Sequence, residues 1–598
     1  MQAESTTATV QEGTSTQGQD KAHSLKRQSS EHALSKEKAD STEEGTAVLD
    51  GHDEKKRDVN ADVEKGAAGA SAPDDDESHY VDGYKLFLIF IGMLMSIFLV
   101  ALDQTIVATA IPKIASDFQA LQQVTWIASG YFLTQAGLIL SYGRILAVAP
   151  TKWVYLVAVM LFELGSVICG AAPNINVLIF GRALAGTGAA GIFTSCLSII
   201  ARITRLEQRP LLFGAFGGIF ALASVVGPLL GGAFTQHVSW RWCFYINLPF
   251  GAVTIASILL FIKREHSIIP VDDGTTWWQK AISLDWVGSI LCVGMVTSLL
   301  LPLQWGGVTK PWTDKTVIAL FVVFAVLFVA FIAWEHHMGI RANLPLDLFK
   351  RRTQIGCCLE AFFLFLILLL STYYLPLYYQ SSAQHTATQS GIDILTYMIC
   401  TVFGALLAGI IIKQTGRPKP FLVLSPLIAA VGAGVVFREL TSSKPSTSHL
   451  IGFQVLLGLG VGGAFQNTII AIQAEYHDNP RMVPQSTSLV NFTQLSGGII
   501  GIAVAGTIFG NRLGVSLEKF APNLSPEVAL MVKSSVTTIA TLSGDDKANV
   551  IKAYSEALGY VFILGIPAGL LASASALLIK NFDLRKMQLE GGGEPAIA

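Results

Sequence analysis

The sequence predicts an all-α integral membrane protein: two six-helix bundles plus two inserted helices, giving 14 transmembrane helices. Three observations predict it. Of 598 residues, 51% are apolar and only 14% are charged, whereas soluble domains carry roughly a quarter charged residues. Mean hydropathy is +0.51. From Lys85 onward, apolar runs long enough to cross a hydrocarbon core of about 30 Å recur along the chain. A glycine pattern in the fourth run returns in the twelfth, which reads as a second bundle repeating the first, a chance match between two Gly-rich helices being the alternative.

The amino-terminal arm is a different material. Residues 1–84 hold 9 Lys/Arg against 19 Asp/Glu, a net of −10, while the remainder holds 32 against 24, a net of +8. The arm is rich in Ser, Thr, Glu and Gly and has no periodic apolar face. It cannot bury enough surface to offset its ordering entropy, so it reads as a disordered, acidic, cytoplasmic tail. No apolar h-region follows the start, which argues against a secretory signal peptide. Ser29, after Lys26-Arg27, is a candidate phosphorylation site; a solvated spacer is the plainer reading.

Six runs follow, near 86–110, 124–146, 153–172, 175–200, 211–234 and 244–262, and make the bundle 85–263. Two more, near 285–303 and 316–335, lie in a linker, 264–354. The last six, near 355–378, 391–412, 421–437, 450–472, 488–509 and 557–580, make the bundle 355–584. That bundle holds a long extracellular loop, 510–556, and a cytoplasmic tail, 585–598, follows it. Loops joining even to odd spans carry 16 Lys/Arg and the opposite short loops carry 6. The bias places both termini in the cytoplasm. In the excluded long loop, Asn523-Leu524-Ser525 is a candidate glycosylation site, weakened by Pro526.

Helix four reads RALAGTGAAGIF from Arg182 and helix twelve reads QVLLGLGVGGAF from Gln454. Gly186/Gly458, Gly188/Gly460, Gly191/Gly463 and Phe193/Phe465 keep one offset. Repeated bundles are a common plan of secondary transporters. Small residues let membrane helices approach closely. The run sits inside an apolar helix, so it is not a phosphate loop. The seven cysteines lie in or beside apolar runs with no metal-ligand spacing and read as packing residues.

Ionisable groups at membrane depth are costly and by default functional or paired. Asp103 lies nine residues before Pro112, about 13 Å from the outer end of helix one, and Arg182 lies about 12 Å from the outer end of helix four. The depths match, so the two can pair, either for proton coupling or as a permanent bridge. Glu163 sits mid-helix in FELGSVICGAAP. Ionising a carboxyl there is costly, which suits a group that loads and releases a proton; a neutral carboxyl bonded to a neighbour is the alternative. Glu360 is expected to snorkel to the interface. Asp285, Glu335, His336 and His337 are expected at span ends. Arg182 corresponds to Gln454, so the first bundle is expected to handle protons and the second to supply more of the substrate surface. Cavity candidates are Tyr374, Tyr378, Gln466, Asn467, Gln473, Asn491 and Gln494, polar groups in apolar helices that either face water or bond between helices. Most of the 33 Phe read as lipid-facing filler.

Several runs stand out: LDQTIVATAIPKIA (Leu102–Ala115), the Arg-x-x-x-Gly-x-Gly run from Arg182, Gly227-Pro228-Leu229-Leu230-Gly231-Gly232, WRWCFYINLPFG (Trp240–Gly251), YYLPLYYQ (Tyr373–Gln380) and Ser390-Gly391. On these the chain resembles the Major Facilitator Superfamily, and within it the fourteen-span drug:proton antiporters, especially fungal multidrug and toxin exporters. The resemblance implies the major facilitator fold, a proton-coupling role for Arg182, and an antiporter motif at Gly227, Pro228, Gly231 and Gly232 that limits leakage. Two departures stand out. The loop between helices two and three has Ala147 and Pro150 in place of the family's Asp and second Gly, and Ala223 replaces a glycine upstream of the antiporter motif.

The function expected is efflux of amphipathic small molecules such as drugs, toxins or secondary metabolites, driven by the proton gradient with no bound cofactor. No Walker motif serves an ATP-driven pump, and no HExxH, GxSxG or metal cluster marks an enzyme. Proton-coupled uptake of a siderophore-like solute and a non-transporting membrane sensor are the alternatives. The expected partners are a small-molecule substrate, protons and the lipid bilayer, with no nucleic acid, acting as a monomer. The plasma membrane is the expected location, with the vacuolar membrane as alternative.

Overall fold

The computed structural model describes residues 83–119, 124–206, 208–261, 279, 282, 284–306, 310–442, 445–534 and 538–590. The acidic arm up to residue 82, Ser29 included, lies outside the described residues. So do 262–263 at the end of the first bundle, 264–278 of the linker and 591–598 of the tail.

The described residues are helical throughout, with one isolated β-bridge and no sheet. The first bundle comprises α1 (Tyr84–Phe118), α2 (Val124–Val148), α3 (Thr151–Ala171), α4 (Ile175–Ile203), α5 (Arg209–His237) and α6, which is split into Trp242–Tyr245 (α6a) and Asn247–Phe261 (α6b). The inserted pair is α7 (Trp286–Trp305) and α8 (Lys315–Met338). The second bundle comprises α9 (Arg352–Ser381), α10 (Ala387–Thr415), α11 (Lys419–Leu440), α12, split into Thr447–Phe465 (α12a) and Asn467–Glu475 (α12b), α13 (Val483–Phe520) and α14, split into Gly544–Phe562 (α14a) and Gly565–Ala576 (α14b). Among the described residues, 13 helices are long and apolar enough to cross a membrane. In α5 the shorter apolar stretch Arg209–Phe220 stands beside them.

The packing of the first six helices recurs in the last six. α1 packs on α5 and α6b, α2 on α4, and α3 on α4; likewise α9 packs on α13 and α14b, α10 on α12a, and α11 on α12a. The halves meet through α2 with α13 and through α5 with α10, which is again a symmetric pair. The glycine repeat explains the match locally. A Cβ on Gly186 would run into the backbone of Tyr131 in α2, and one on Gly458 into that of Tyr397 in α10. Gly188 and Gly460 similarly press on α3 and α11. Gly458→Leu is therefore expected to lower stability by about 1–3 kcal/mol through overpacking, read as a loss of thermal midpoint in detergent. An unchanged midpoint would show that α10 and α12a do not need this approach.

α7 packs on α2, and α8 packs on α7. Asp285 caps α7 by accepting from the Gly288 amide at 2.7 Å. Only Val317, Phe331 and Glu335 of α8 are buried.

The expected loop 510–556 is largely helical, which corrects the sequence reading. α13 runs 38 residues, about 57 Å at 1.5 Å per residue, so it continues well beyond a hydrocarbon core. Short helices at Pro526–Ser534 and Thr538–Thr541 lead into α14a. Leu513, Leu517, Val532, Ile539, Val550, Ala553 and Tyr554 form a small core of their own, and the Tyr554 hydroxyl donates to the Val532 carbonyl at 2.5 Å. These helices are amphipathic rather than uniformly apolar, so a search for membrane runs passes over them. Asn523 is exposed in the turn after α13. The expected carboxy-terminal tail likewise begins with a short helix, Leu584–Glu590, whose first amide donates to the Gly416 carbonyl at 2.9 Å.

Candidate functional site

Two groupings of polar side chains lie inside the helices. The first is a buried network in the first half. Arg182 of α4 forms an ion pair with Asp103 of α1. Both are buried, at 2% and 0% exposure. The guanidinium also donates from Nε to the Ile127 carbonyl at 3.0 Å and lies 4.4 Å from the centroid of the Tyr131 ring, both on α2. The other oxygen of Asp103 accepts from Asn247 Nδ2 at 3.4 Å, and the same nitrogen donates to Ser166 Oγ on α3 at 3.1 Å. Asn247 is placed by the break in α6: it opens α6b, and Pro249 in that first turn suits a helix start.

Glu163 lies one turn before Ser166 on α3, so the two share a face. Its carboxyl packs against Gly251 of α6b. Neither carboxyl oxygen has a hydrogen-bond partner among the described residues. The hydrogen-bonded carboxyl that the sequence left open is thus not what the structure holds. The chain Arg182, Asp103, Asn247, Ser166 leads to a carboxyl without a bond of its own.

The second grouping lines a cavity between the halves. Its wall includes Gln104 and Gln135 from the first half, whose amides meet at 3.4 Å, and Gln466, Asn491 and Gln494 from the second. Phe193, Phe216, Phe220, Phe365 and Phe465 supply the aromatic surface. Asp103, next to Gln104, is not in this wall, so the charged network stands behind it. Asn491 is 3% exposed, and neither its oxygen nor its nitrogen has a partner among the described residues. An amide buried with both groups unpaired is costly unless something else satisfies it.

Of the seven expected cavity residues, Gln466, Asn491 and Gln494 line this cavity and four do not. Asn467 donates to the Gly463 carbonyl at 2.6 Å, bridging the break in α12. Gln473 reaches across to the first half, accepting from Arg209 at 3.1 Å and donating to the Leu197 carbonyl at 3.5 Å. Tyr374 donates to the Ile502 carbonyl at 3.5 Å and packs on Phe509. Tyr378 lines a separate opening near Lys519 and Lys552. The sequence reading missed Gln104, Gln135 and the five phenylalanines. Which face of a lipid-crossing helix turns inward depends on its rotation, which composition does not encode.

Other expectations also shift. Glu360 does not reach an interface: it is 0% exposed. Asp285 and Glu335 stand at span ends as expected but are buried, and their groups are used for local bonds. Asp285 accepts from Trp334 Nε1 at 2.8 Å and Glu335 from the Leu344 amide at 2.8 Å. In α5, Gly227 and Gly231 let α1 approach at Thr105, Ile106 and Thr109, while Gly232 has open space. Pro228 lies inside a helix that continues through it. Thr105 Oγ1 donates to the Ala223 carbonyl at 3.0 Å, one turn before the proline.

Where contacts join the halves, they gather at one end. Gly143 of α2 abuts Ser488 of α13, Gly409 of α10 abuts Pro210 of α5, and Gln473 bridges to Arg209. Arg202 belongs to the same end, where it donates to Thr151 Oγ1 at 2.6 Å and to the Leu146 carbonyl at 3.0 Å. This is the end that carries the excess of Lys and Arg. At the opposite end, Trp240 donates to Asp117 at 3.0 Å. Asp117 is held below the usual carboxylate range, chiefly by its bond from Lys113.

The model of the Major Facilitator Superfamily matches residues 93–502. A protein of Aspergillus oryzae called "MFS-type transporter astH" is 40% identical over 534 residues, which is 88% of this chain and 93% of that protein. The "MFS-type efflux pump MFS1" of Arthroderma benhamiae is 42% identical, covering 78% of this chain and 86% of its own. "Efflux pump aflT" of Aspergillus parasiticus is 38% identical over 84% of this chain and 97% of its own. Among solved structures, the human organic anion transporter MFSD10 (TETRAN) aligns with a TM-score of 0.53 at 11% identity, covering 82% of this chain and 99% of that one.

Proposed function

Because the chain belongs to the Major Facilitator Superfamily, we propose that it is an efflux pump that exchanges protons for amphipathic small molecules such as drugs, toxins or secondary metabolites. The observation that carries this reading is the phenylalanine-lined cavity between the halves, with the unpaired amide of Asn491 in its wall. A flat, apolar molecule with one polar group fits such a wall. The export direction draws support from the relatives named efflux pumps.

In this reading the two halves rock about the cavity. The end closed by Gly143, Arg209 and Gln473 faces the cytoplasm, in keeping with its positive charge. Inward proton flow supplies the energy, and no bound cofactor takes part. Glu163 carries the proton. Asp103 and Arg182 form the neighbouring charge pair, and the Asn247–Ser166 bonds connect that pair to the turn that holds Glu163. Gly227, Pro228, Gly231 and Gly232 seal α5 against α1. The protein works as a monomer in the plasma membrane with both termini in the cytoplasm, and Asn523 faces outside, open to glycosylation.

The test uses purified protein in liposomes, an imposed pH gradient and ethidium as probe, a flat aromatic cation suited to aromatic walls. Ethidium is expected to accumulate against its own gradient and to stop doing so when nigericin collapses the pH difference. Accumulation untouched by nigericin would overturn proton coupling. Asn491→Leu is expected to weaken apparent ethidium affinity about tenfold, near the worth of one hydrogen bond. Its thermal midpoint should hold or rise, because no protein bond is lost. A fall in midpoint with affinity intact would give Asn491 a structural role.

A further inference from the structure

The proposal above places the proton-handling groups in the first half. The second half holds three buried carboxyls that this reading does not use, Glu360, Asp393 and Glu475, and of these Asp393 meets His385 and Glu475 meets Arg351 and Lys580. Glu360 lies eight residues into α9 from Arg352, about 12 Å from the basic end. Thr468 Oγ1 donates to its Oε2. Oε1 is buried with no partner among the described residues.

Glu475 is treated differently: Arg351 meets it at 3.1 Å and Lys580 at 2.8 Å. No cation comes within ion-pair distance of Glu360 among the described residues. Its titratable neighbours are Cys357 and Cys358 on its own helix and, on α12b, Glu475 and, just beyond it, Tyr476. α13 offers none between Val483 and Asn511, and α14b none at all. α10 and α12a add only Asp393, Tyr397, Cys400, Lys413 and His449. An ionised carboxylate without a counter-charge at this depth is costly, so the site accommodates the neutral acid.

The partner of Glu360 sits on a short helix tied to both halves. α12 breaks at Gln466, and the nine residues of α12b carry three attachments. Thr468 bonds Glu360, Gln473 bridges to Arg209 and the Leu197 carbonyl of the other half, and Glu475 is clamped by Arg351 and Lys580. Parting the halves at the basic end breaks the Gln473 bridge and leaves the short helix that holds Thr468 against Glu360 attached to its own half alone.

We propose that Glu360 is a second proton-exchanging group of the pump, coupled through α12b to closure between the halves. It rests on the proton-driven reading above. On loading, an O–H bond forms at Glu360 from a water proton. When the basic end opens, that bond breaks, the proton returns to water and the carboxylate is solvated. Each cycle then moves one proton at Glu163 and one at Glu360.

Two measurements test it. In infrared difference spectra of the purified protein in lipid, taken between low and high pH, the C=O stretch of a protonated carboxyl is expected, and Glu360→Gln should remove one such band. Thr468→Val keeps the carboxyl and should shift that band, which covers the case in which Glu360→Gln fails to fold. Spectra of both variants that superimpose on the parent overturn the proposal. In liposomes with the membrane potential clamped by valinomycin, each tenfold proton gradient should hold ethidium at about 100-fold accumulation in the parent and about tenfold in Glu360→Gln, one factor of ten for each proton. Equal accumulation in both overturns a coupling role for Glu360. If even the parent fails to accumulate ethidium, proton-driven efflux of this cation falls, and the infrared arm still decides whether Glu360 exchanges a proton.

Discussion

Glu163→Gln is expected to lower proton-driven accumulation of ethidium about tenfold for each tenfold proton gradient, by removing one of the two exchanged protons, while leaving binding of the dye largely intact. Glutamine keeps the size and polarity of the side chain and loses only the exchangeable proton. The site tolerates that change because neither carboxyl oxygen makes a bond that the amide would break. Binding, read by fluorescence of ethidium in detergent, should change little, since Glu163 is not in the cavity wall. The discriminating readout is pH dependence: the rate of dye exchange between equal concentrations should lose the part of its pH response that belongs to Glu163. A variant that pumps at the parental rate with the parental pH profile would remove Glu163 from the mechanism.

Arg182→Ala is expected to cost the most stability of any single change considered. It strands Asp103, fully buried, with only the Asn247 amide at 3.4 Å for company. Removing one partner of a buried ion pair typically costs about 3–5 kcal/mol. The bonds to Ile127 and the stacking on Tyr131 are lost with it. Expression and thermal midpoint should both fall sharply. The double variant Asp103→Asn with Arg182→Gln removes both charges together and is expected to recover much of the midpoint while remaining inactive in transport. If the double variant is as unstable as Arg182→Ala, packing rather than the stranded charge explains the loss. If the double variant pumps, the pair is a strut and takes no part in coupling.

Much of the fold was legible in the sequence. The apolar runs gave the helices, because a chain crossing lipid must satisfy its own backbone bonds. The Asp103–Arg182 contact followed from counting residues to the helix ends. Gln454, the counterpart of Arg182, also behaves as its position implies: it accepts from the Tyr397 amide at 3.3 Å and donates to the Tyr379 hydroxyl at 2.5 Å, as Arg182 meets α2 at Ile127 and Tyr131.

The failures share one cause. Glu360 was expected at an interface because it is close to the start of α9, yet α12b covers it, and nothing local to residue 360 reports a helix more than 100 residues away. Asn467 and Gln473 are polar residues in an apolar helix, as cavity residues would be, but the break at Gln466 turns them to other tasks. The five cavity phenylalanines are indistinguishable in sequence from those that face lipid. Helix identity is a one-dimensional property and inward-facing side chains are a three-dimensional one.

The inserted pair has a consequence of its own. Among the described residues, α8 packs chiefly on α7 and through a few residues at its end, and it leaves most of its side chains turned outward. It stands like an outrigger beside the hull of the first bundle. A spin label at Val326, 62% exposed, would therefore report the order of the surrounding acyl chains from a position remote from the ligand chamber, and would do so while the pump turns over.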